Sequence, residues 1–354
     1  MQPALFAIAP RELATLLGGP GRAAAVWGAV RRGLDPFAPG VLADGSHRRL
    51  LEACRRTVLD TERSSASTCG TRKLLVRLHD DCLVETVLIP HRSRSTVCVS
   101  TQVGCARGCV FCATATMGMI RSLAAEEIVG QVALALTDVR RWQLPPLRNV
   151  VLMGMGEPLD NLDAVRDAVT RCASNDALGI GAGHVTLSTV GTTPARIAGL
   201  SDLPARIAWS VHAADDTVRR RLVPTTRYPM TTLRDAFVDL ARRRGDLLFV
   251  EVALAAGVND TLADAQALAT LLAPFDGAVR VNLLPLNRAR EDLTPSADDL
   301  VRAFRDHLRA RGYFCMVRRA RGAESQSACG QLAAAEPARM TSVSKSTCPE
   351  ASIV

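Results

Sequence analysis

Three cysteines, Cys105, Cys109 and Cys112, stand close together in a C-x3-C-x2-C spacing. Thiolates at these intervals, in a turn rich in small residues, can converge on one soft metal centre. A structural zinc site would close with a nearby second pair of ligands, but the next Cys and His are only Cys172 and His184. A cubane [4Fe–4S] cluster held by three thiolates, where four is usual, would leave one iron open to a substrate. The spacing therefore favours a reactive cluster over a structural metal or three packed thiols.

After Thr96 the sequence pattern alternates between strands and helices, and these elements must position the cysteine loop. Six such units predict an α/β fold, a partial (β/α)6 TIM-like barrel with a parallel sheet and helices outside. Ser296 and Asp299 predict a capping box at the last helix. The predicted strands cover residues 97–103, 149–153, 184–190, 205–211, 247–254 and 278–284, with a final strand at 313–317. The predicted helices cover residues 124–136, 162–172, 216–221, 233–244, 262–272 and 297–310, and a short helix follows Pro194.

Chemistry-bearing residues recur where these strands end. In barrels of this kind, catalytic groups gather at the carboxyl ends of the strands. Taken singly the signals are weak, because Gly-Glu-Pro is a common turn and His212 could be a core histidine. Their position on one rim makes a joint prediction of one active site. The strand ends carry, in chain order, the cysteine loop, Gly154–Pro158 with Glu157, Ser188–Gly191, Ser210–His212, Asn287 and Cys329.

The remainder of the chain divides into three further segments. Residues 1–70 show helical patterns and predict a small N-terminal domain. Residues 71–95 predict a β-hairpin linker whose second strand carries Glu85 among apolar neighbours. The predicted barrel covers residues 96–332, and residues 333–354 lack periodicity and predict a disordered tail.

Composition limits the classes of function. The chain has 354 residues, 48% hydrophobic residues and a net charge of +8, which favours a globular protein with an anionic partner such as nucleic acid. A third predicted helix, residues 47–58, is arginine-rich and either grips RNA or presents a solvated basic face. Lys73 and Lys345 are the only lysines and neither lies in a motif, which argues against a pyridoxal Schiff base.

Targeting features are also absent from the sequence pattern. No apolar run is long enough to span a bilayer, and the N-terminal residues do not show the basic segment followed by a hydrophobic segment that is typical of a secretory signal. We therefore expect a cytoplasmic protein without a membrane partner. The eleven cysteines of a chain of this length predict metal-binding or reactive thiols, with the others buried, and not a disulfide scaffold.

These motifs together resemble a known family. The cysteine triplet at the end of a first barrel strand resembles the radical S-adenosylmethionine (SAM) superfamily. Five segments, in chain order from about residue 10 to 332, resemble the RlmN/Cfr RNA methyltransferases within it. They are Val97-Cys-Val-Ser-Thr-Gln-Val-Gly-Cys105, Met153-Gly-Met-Gly-Glu-Pro-Leu159, Ser210-Val-His-Ala213, Arg321-Gly-Ala-Glu324 and Ala328-Cys-Gly-Gln-Leu332.

The resemblance implies roles for individual residues. Cys105, Cys109 and Cys112 would hold the [4Fe–4S] cluster, whose open iron would take the amino and carboxylate groups of SAM. Cys329 would be methylated first and carry the methyl group, Cys98 would later form a transient disulfide with it, and Glu85 would accept a proton. The residues that would hold SAM are Gly156, Glu157, Ser188, Ser210, Val211, His212 and Asn287.

The implied chemistry uses two molecules of SAM. One methylates Cys329, and reductive cleavage of the other gives a 5′-deoxyadenosyl radical that activates this methyl group for addition to adenine. We expect methylation of carbon 2 of an adenosine in 23S rRNA, with tRNA as a further candidate. The resemblance also implies an electron donor such as flavodoxin or ferredoxin, and we expect a monomer.

Three alternatives stay open at the level of sequence. The loops at 117–123 and 288–293 depart from the usual family pattern and border the substrate mouth, so a Cfr-like carbon-8 methyltransferase is the first. A protein-modifying radical SAM enzyme is the second, although it would not need both Cys98 and Cys329. The third is a non-catalytic RNA-binding protein that uses its basic N-terminal helices.

Overall fold

A ten-stranded sheet organises the chain. The computed structural model describes residues 2–56, 59–286, 293–318 and 330–332. Within them the sheet order is β1-β2-β3-β4-β7-β8-β9-β10-β11-β12, and β5 and β6 form a separate two-stranded sheet. The strands are β1 Asp60–Ala66, β2 Arg72–Arg77, β3 Leu83–Pro90, β4 Ser95–Cys98, β5 Gln102–Gly104, β6 Met119–Ser122, β7 Leu147–Leu152, β8 Val185–Thr189, β9 Arg206–Ser210, β10 Leu248–Leu254, β11 Val279–Pro285 and β12 Phe314–Val317.

The sheet has a parallel part and an antiparallel part. Strands β4 and β7 to β12 run parallel, while β1 to β4 pair antiparallel as a meander. The described strands do not close on themselves, since β1 and β12 lie at the two edges. The predicted α/β fold, a partial TIM-like barrel with a β-hairpin extension, is confirmed.

Helices connect successive parallel strands. The helix α9 begins with a capping box, in which Thr261 Oγ1 accepts from Asp264 N and Asp264 Oδ2 accepts from Thr261 N. The predicted box at Ser296 is wrong, because α10 begins one residue later, after Ala297, without a side-chain cap. The helices are α1 Pro10–Leu17, α2 Pro20–Arg31, α3 Asp44–Ala53, α4 Ala125–Arg141, α5 Leu162–Ala173, α6 Pro194–Ala198, α7 Asp216–Leu222, α8 Met230–Arg244, α9 Leu262–Leu272 and α10 Asp298–Ala310.

The first barrel strand differs from its predicted extent. The prediction placed one strand over residues 97–103, but β4 ends at Cys98 and the chain resumes as β5. Between β4 and β5, the backbone forms hydrogen bonds to β7 and to the residues that follow it, and Thr101 N donates to Met155 O at 2.8 Å. This break turns the chain off the sheet into the β5–β6 hairpin, which carries the cysteine loop at its tip.

The N-terminal helices share a continuous hydrophobic core with the barrel, from Leu5 to Leu332. The buried Arg171 of α5 donates to the carbonyls of Ile8 and Ala7, each at 3.1 Å, and thereby fixes the first residues to the barrel. The helical prediction for residues 1–70 missed β1, whose polar sequence gives no apolar alternation. The domain boundary at residue 70 stays a prediction. None of the described helices is long and apolar enough to cross a membrane.

We expect Gly104→Ala to disrupt the cysteine hairpin. Gly104 has a φ of +77°, and a Cβ there would lie 1.9 Å from Gly118 O, the acceptor of the Cys105 amide. Gly245→Ala is the matched control, because Gly245 also has a positive φ but open space around its Cβ position. The control should lose about 1–2 kcal/mol of unfolding free energy, and Gly104→Ala should lose more, as measured by urea denaturation. Equal losses of unfolding free energy in the two variants would show that the close approach of residue 104 to Gly118 O does not destabilise the Gly104→Ala protein.

Candidate active site

The cysteine loop lies between β5 and a short 3-10 helix, Ala113–Met117, and is anchored at several points. At its start Cys105 N donates to Gly118 O at 2.8 Å, and in its middle Val110 N donates to Leu222 O, at the end of α7, at 3.0 Å. Arg107 forms an ion pair with Asp160 at 2.8 Å. The loop conformation therefore depends on the β7–α5 connection and on α7.

The three sulfur atoms fit a cluster better than a single ion. A tetrahedral zinc site would bring thiolate sulfurs to about 3.8 Å from one another. Among the described residues, the ligand atoms of His79, Asp80 and Glu127 all lie within 4.8 Å of one another. The sulfur atoms of the three cysteines do not all lie that close together. In a [4Fe–4S] cluster each thiolate binds a different iron, so wider spacing is required.

The cysteine thiols are half-buried, and this affects their ionisation. Burial raises the pKa of Cys105 to about 12 and also raises the pKa of Cys109. Without a metal the thiols of Cys105 and Cys109 are therefore protonated at neutral pH, and binding of iron must release their protons. The donor set and its burial fit a thiolate-bound cluster.

Glu157 is buried and connects the ends of two neighbouring strands. Its carboxylate accepts hydrogen bonds from Leu159 N at 3.0 Å, from Thr189 Oγ1 and from Val190 N at 3.0 Å. Burial raises the pKa of Glu157, and these three hydrogen bonds act in the opposite direction. An ionised carboxylate has about four acceptor positions, and the described residues use three of them, which leaves one for a further donor such as an ammonium group.

Gly156 precedes this carboxylate in a backbone conformation that favours glycine. Its φ is +97°, and a Cβ there would lie 2.6 Å from the Cβ of Gln102. The Gln102 side chain in turn accepts from Glu157 N at 2.9 Å. The close approach of these two segments sets the shape of the rim beside the cysteine hairpin.

Ser188 and Ser210 meet at the ends of β8 and β9, where their hydroxyl oxygens lie 2.9 Å apart. Both are half-buried, so each hydroxyl can also bond to a ligand. Val211 N bonds to Glu251 O at 3.0 Å, which joins the end of β9 to β10.

His212 is buried and has a positive φ of 56°, rare for a residue with a side chain. Its Nδ1 accepts from Ala253 N at 3.1 Å, and its ring meets the Phe111 ring edge-on at 4.6 Å. Burial, and then the nearby Arg219, hold the pKa of His212 well below its usual range. The ring is therefore neutral and carries its hydrogen on Nε2.

Arg219 is a buried arginine of α7 that the sequence reasoning missed. Its guanidinium donates to Ser210 O at 2.7 Å, Val211 O at 2.6 Å and Val190 O at 2.8 Å. Burial lowers the pKa of Arg219 to about 10, while Cys109 and Glu157 act to raise it, so the group is charged at neutral pH. In the sequence it begins an Arg219–Arg221 run with no signal to mark it as buried.

Cys98 and Glu85 lie on one face of the sheet. Cys98 stands directly opposite Val87 of β3, so Glu85, two residues before Val87, is its diagonal neighbour. Lys73 Nζ lies 3.0 Å from Glu85 Oε1. The two side chains therefore form an ion pair on this face.

Asn287 and Cys329 lie outside the described residues. The residues that follow Cys329 are described, and they bond to the end of the cysteine loop. Ala113 N donates to Gly330 O at 2.7 Å, and Thr114 Oγ1 donates to Leu332 O at 2.6 Å. Cys329 is therefore adjacent in sequence to a residue that contacts the loop next to Cys112.

The group of His79, Asp80 and Glu127 is a second cluster of ligand types. Arg121 donates to both carboxylates, with distances from 2.6 to 2.8 Å, and His79 Nδ1 lies 3.2 Å from Glu127 Oε1. Because the guanidinium of Arg121 already bonds to both carboxylates, the group is an ion-pair network that joins the β2–β3 turn to β6 and α4.

Comparison with known proteins agrees with this fold and this loop. Residues 99–237 match the family model of the Radical SAM superfamily. A crystal structure of a radical SAM methyltransferase from Sphaerobacter thermophilus superposes with a TM-score of 0.86 at 35% identity, covering 94% of this chain and 100% of the other. The fold and the cysteine loop define a radical SAM protein, and the cofactors of this class are a [4Fe–4S] cluster and SAM.

The relatives specify the family further. A probable dual-specificity RNA methyltransferase RlmN from Frankia alni is 44% identical over 308 residues, which are 84% of this chain and 73% of the relative. The dual-specificity RNA methyltransferase RlmN 1 of Myxococcus xanthus is 43% identical over 306 residues, or 85% and 83%. The chain belongs to the RlmN family of radical SAM RNA methyltransferases.

We expect Cys109→Ala to abolish cluster binding. The wild-type chain, reconstituted anaerobically, should bind about four iron atoms and four sulfides, which is one [4Fe–4S] cluster. Loss of one of three ligands should leave less than a tenth of this iron. Cys172→Ala is the control, since this thiol is buried in α5, and it should retain the full iron content. Full iron content in Cys109→Ala would contradict the assigned ligand set.

Proposed function

We propose that this chain methylates carbon 2 of an adenosine in RNA, with 23S rRNA as the main substrate and tRNA as a further one, through an S-methylcysteine at Cys329. The curated relatives are RNA methyltransferases by name. The observation that carries the cysteine part of the proposal is the contact of Gly330 and Leu332 with the cysteine loop. Cys329 directly precedes Gly330 in the sequence, which supports its assignment as the cysteine that carries the methyl group.

Different residues at the carboxyl ends of the strands would bind the cluster and SAM. Cys105, Cys109 and Cys112 would hold the [4Fe–4S] cluster, which together with SAM supplies one-electron chemistry when bound. Ser188, Ser210 and the Nε2 hydrogen of His212 would offer hydrogen bonds to SAM, with Gly156, Glu157, Val211 and Asn287 completing the site. The free acceptor position on Glu157 suits the ammonium group of its methionyl part.

The face that holds Cys98 and Glu85 would complete the reaction. After the methylene carbon on Cys329 bonds to the adenine ring, the ring must give up one proton to a base and one electron, which would return to the [4Fe–4S] cluster, and the carbon–sulfur bond must then break. Glu85, which lies beside Lys73, would take the proton. Attack of the Cys98 thiolate on the Cys329 sulfur would form the disulfide, and the departing carbon would keep the bonding electrons and gain a proton to become the methyl group.

Nucleoside mass spectrometry identifies which carbon of the adenine ring is methylated. We expect 2-methyladenosine in 23S rRNA from cells with the gene and none from a deletion strain, with tRNA measured in parallel. Complementation by the wild-type gene should restore the modification, and complementation by Cys105→Ala should not. The appearance of 8-methyladenosine would instead support the Cfr-like alternative, and unchanged RNA would overturn the proposed activity.

We expect the two distant cysteines to differ in a labelling assay with methyl-labelled SAM. The wild-type protein should carry label, whereas Cys329→Ala should carry none because it lacks the methyl acceptor. Cys98→Ala should accept the methyl group but release no RNA product, so a covalent protein–RNA adduct should accumulate on a denaturing gel. Label that persists on the Cys329→Ala protein would contradict the assignment.

A further inference from the structure

Arg219 lies where the cysteine loop, β8 and β9 meet. Its side chain is 1% exposed, and its hydrogen bonds among the described residues all go to main-chain carbonyls of Val190, Ser210 and Val211. Its Nε is buried and has no hydrogen-bond partner in the described part of the chain. A buried cation bonded only to neutral carbonyls is costly unless an anionic group lies nearby.

The surroundings of Arg219 show where such an anion would be. The neighbouring groups that act on the guanidinium when they are ionised are Glu157 and Cys109, and Cys109 loses its proton when it binds a metal. Leu222 O, at the end of the same helix α7, accepts a hydrogen bond from Val110 N. Cys109 and Val110 also pack against the small cluster that contains Leu222 and Val223. The cation is therefore on the side of α7 that supports the cysteine loop.

The neighbouring strand junction shows that a positive charge is not needed merely to join two strand ends. Between β9 and β10, the side-chain amide of Asn259 donates to His212 O and to Ala253 O. Asn259 is also fully buried, but it is neutral. The fold thus joins one pair of strand ends with an amide and joins the pair beside the cysteine loop with a guanidinium.

We propose that Arg219 is a positioning residue that fixes the ends of β8 and β9 and supplies the positive charge for the cluster beside it. This inference rests on the proposed binding of the cluster by Cys105, Cys109 and Cys112. A cluster gains one unit of negative charge when it accepts one electron, and its net electrostatic surroundings set its reduction potential. A buried cation at this position stabilises the reduced form and makes the reduction potential less negative.

The test is a redox titration of the reconstituted protein, with one-electron reduction followed by electron paramagnetic resonance. We expect Arg219→Gln to make reduction about tenfold less favourable, a shift of about 59 mV toward negative potential for a one-electron couple. Arg219→Lys keeps the charge and should stay near the wild-type potential. Arg220→Gln removes an exposed charge from the same helix and should cause little shift, because exposed charges are screened.

Two further variants separate the effect of charge from the effect of structure. Arg219→Met is a second neutral replacement for use where the Gln variant does not fold, and if neither folds, the Lys variant alone must match the wild-type potential. Asn259→Ala breaks the neutral junction and should leave the potential unchanged. Equal potentials in Arg219→Gln and wild type, or equal shifts in the Lys and Gln variants, would overturn the inference. A wild-type chain that binds no iron would overturn the proposed function instead.

Discussion

The site depends on buried polar side chains that each join the ends of neighbouring strands. A partial barrel lacks the closure that fixes strand ends in an eightfold barrel, so other interactions must hold its rim. Glu157 joins the rim at β7 to β8, Arg219 joins β8 to β9, and Asn259 joins β9 to β10. Because a buried polar group must be satisfied, each of these bonds fixes the relative position of two strands.

The same principle extends to the antiparallel side of the sheet. Ser100 Oγ donates to Glu85 O at 2.7 Å and accepts from Met155 N at 2.9 Å, so one hydroxyl connects β3 to the end of β7. Gln131 of α4 bonds to Thr86 and to both backbone groups of Ser100. The backbone of Glu85, the predicted proton acceptor, is therefore tied through hydrogen bonds to the rim that would hold SAM, although Glu85 belongs to the hairpin.

The sequence was sufficient for the parts of this structure that depend on local pattern. Apolar strands that alternate with amphipathic helices predicted the parallel sheet, and the cysteine spacing predicted the loop. The misses depend on contacts that are distant in sequence. Arg219 and the exposed Arg220 look alike in a run of three arginines, and only the packing of α7 onto the strand ends buries the first. Likewise β1 is polar because it is a sheet edge, so it lacks the alternation that marks a half-buried strand.

The hairpin extension covers an edge of the sheet and also carries the residue proposed to accept a proton. In an open barrel β4 would be an exposed edge strand, and an uncovered edge invites pairing with other chains. Antiparallel β3 covers that edge, and the register that pairs Val87 with Cys98 places Glu85 on the Cys98 face. A slip by one residue would turn Glu85 to the opposite face. If Cys98 and Glu85 act as proposed, the register that protects the open barrel also sets the thiol and the base at one side of the site. A radical SAM barrel without this hairpin would keep the cluster loop but lack that carboxylate.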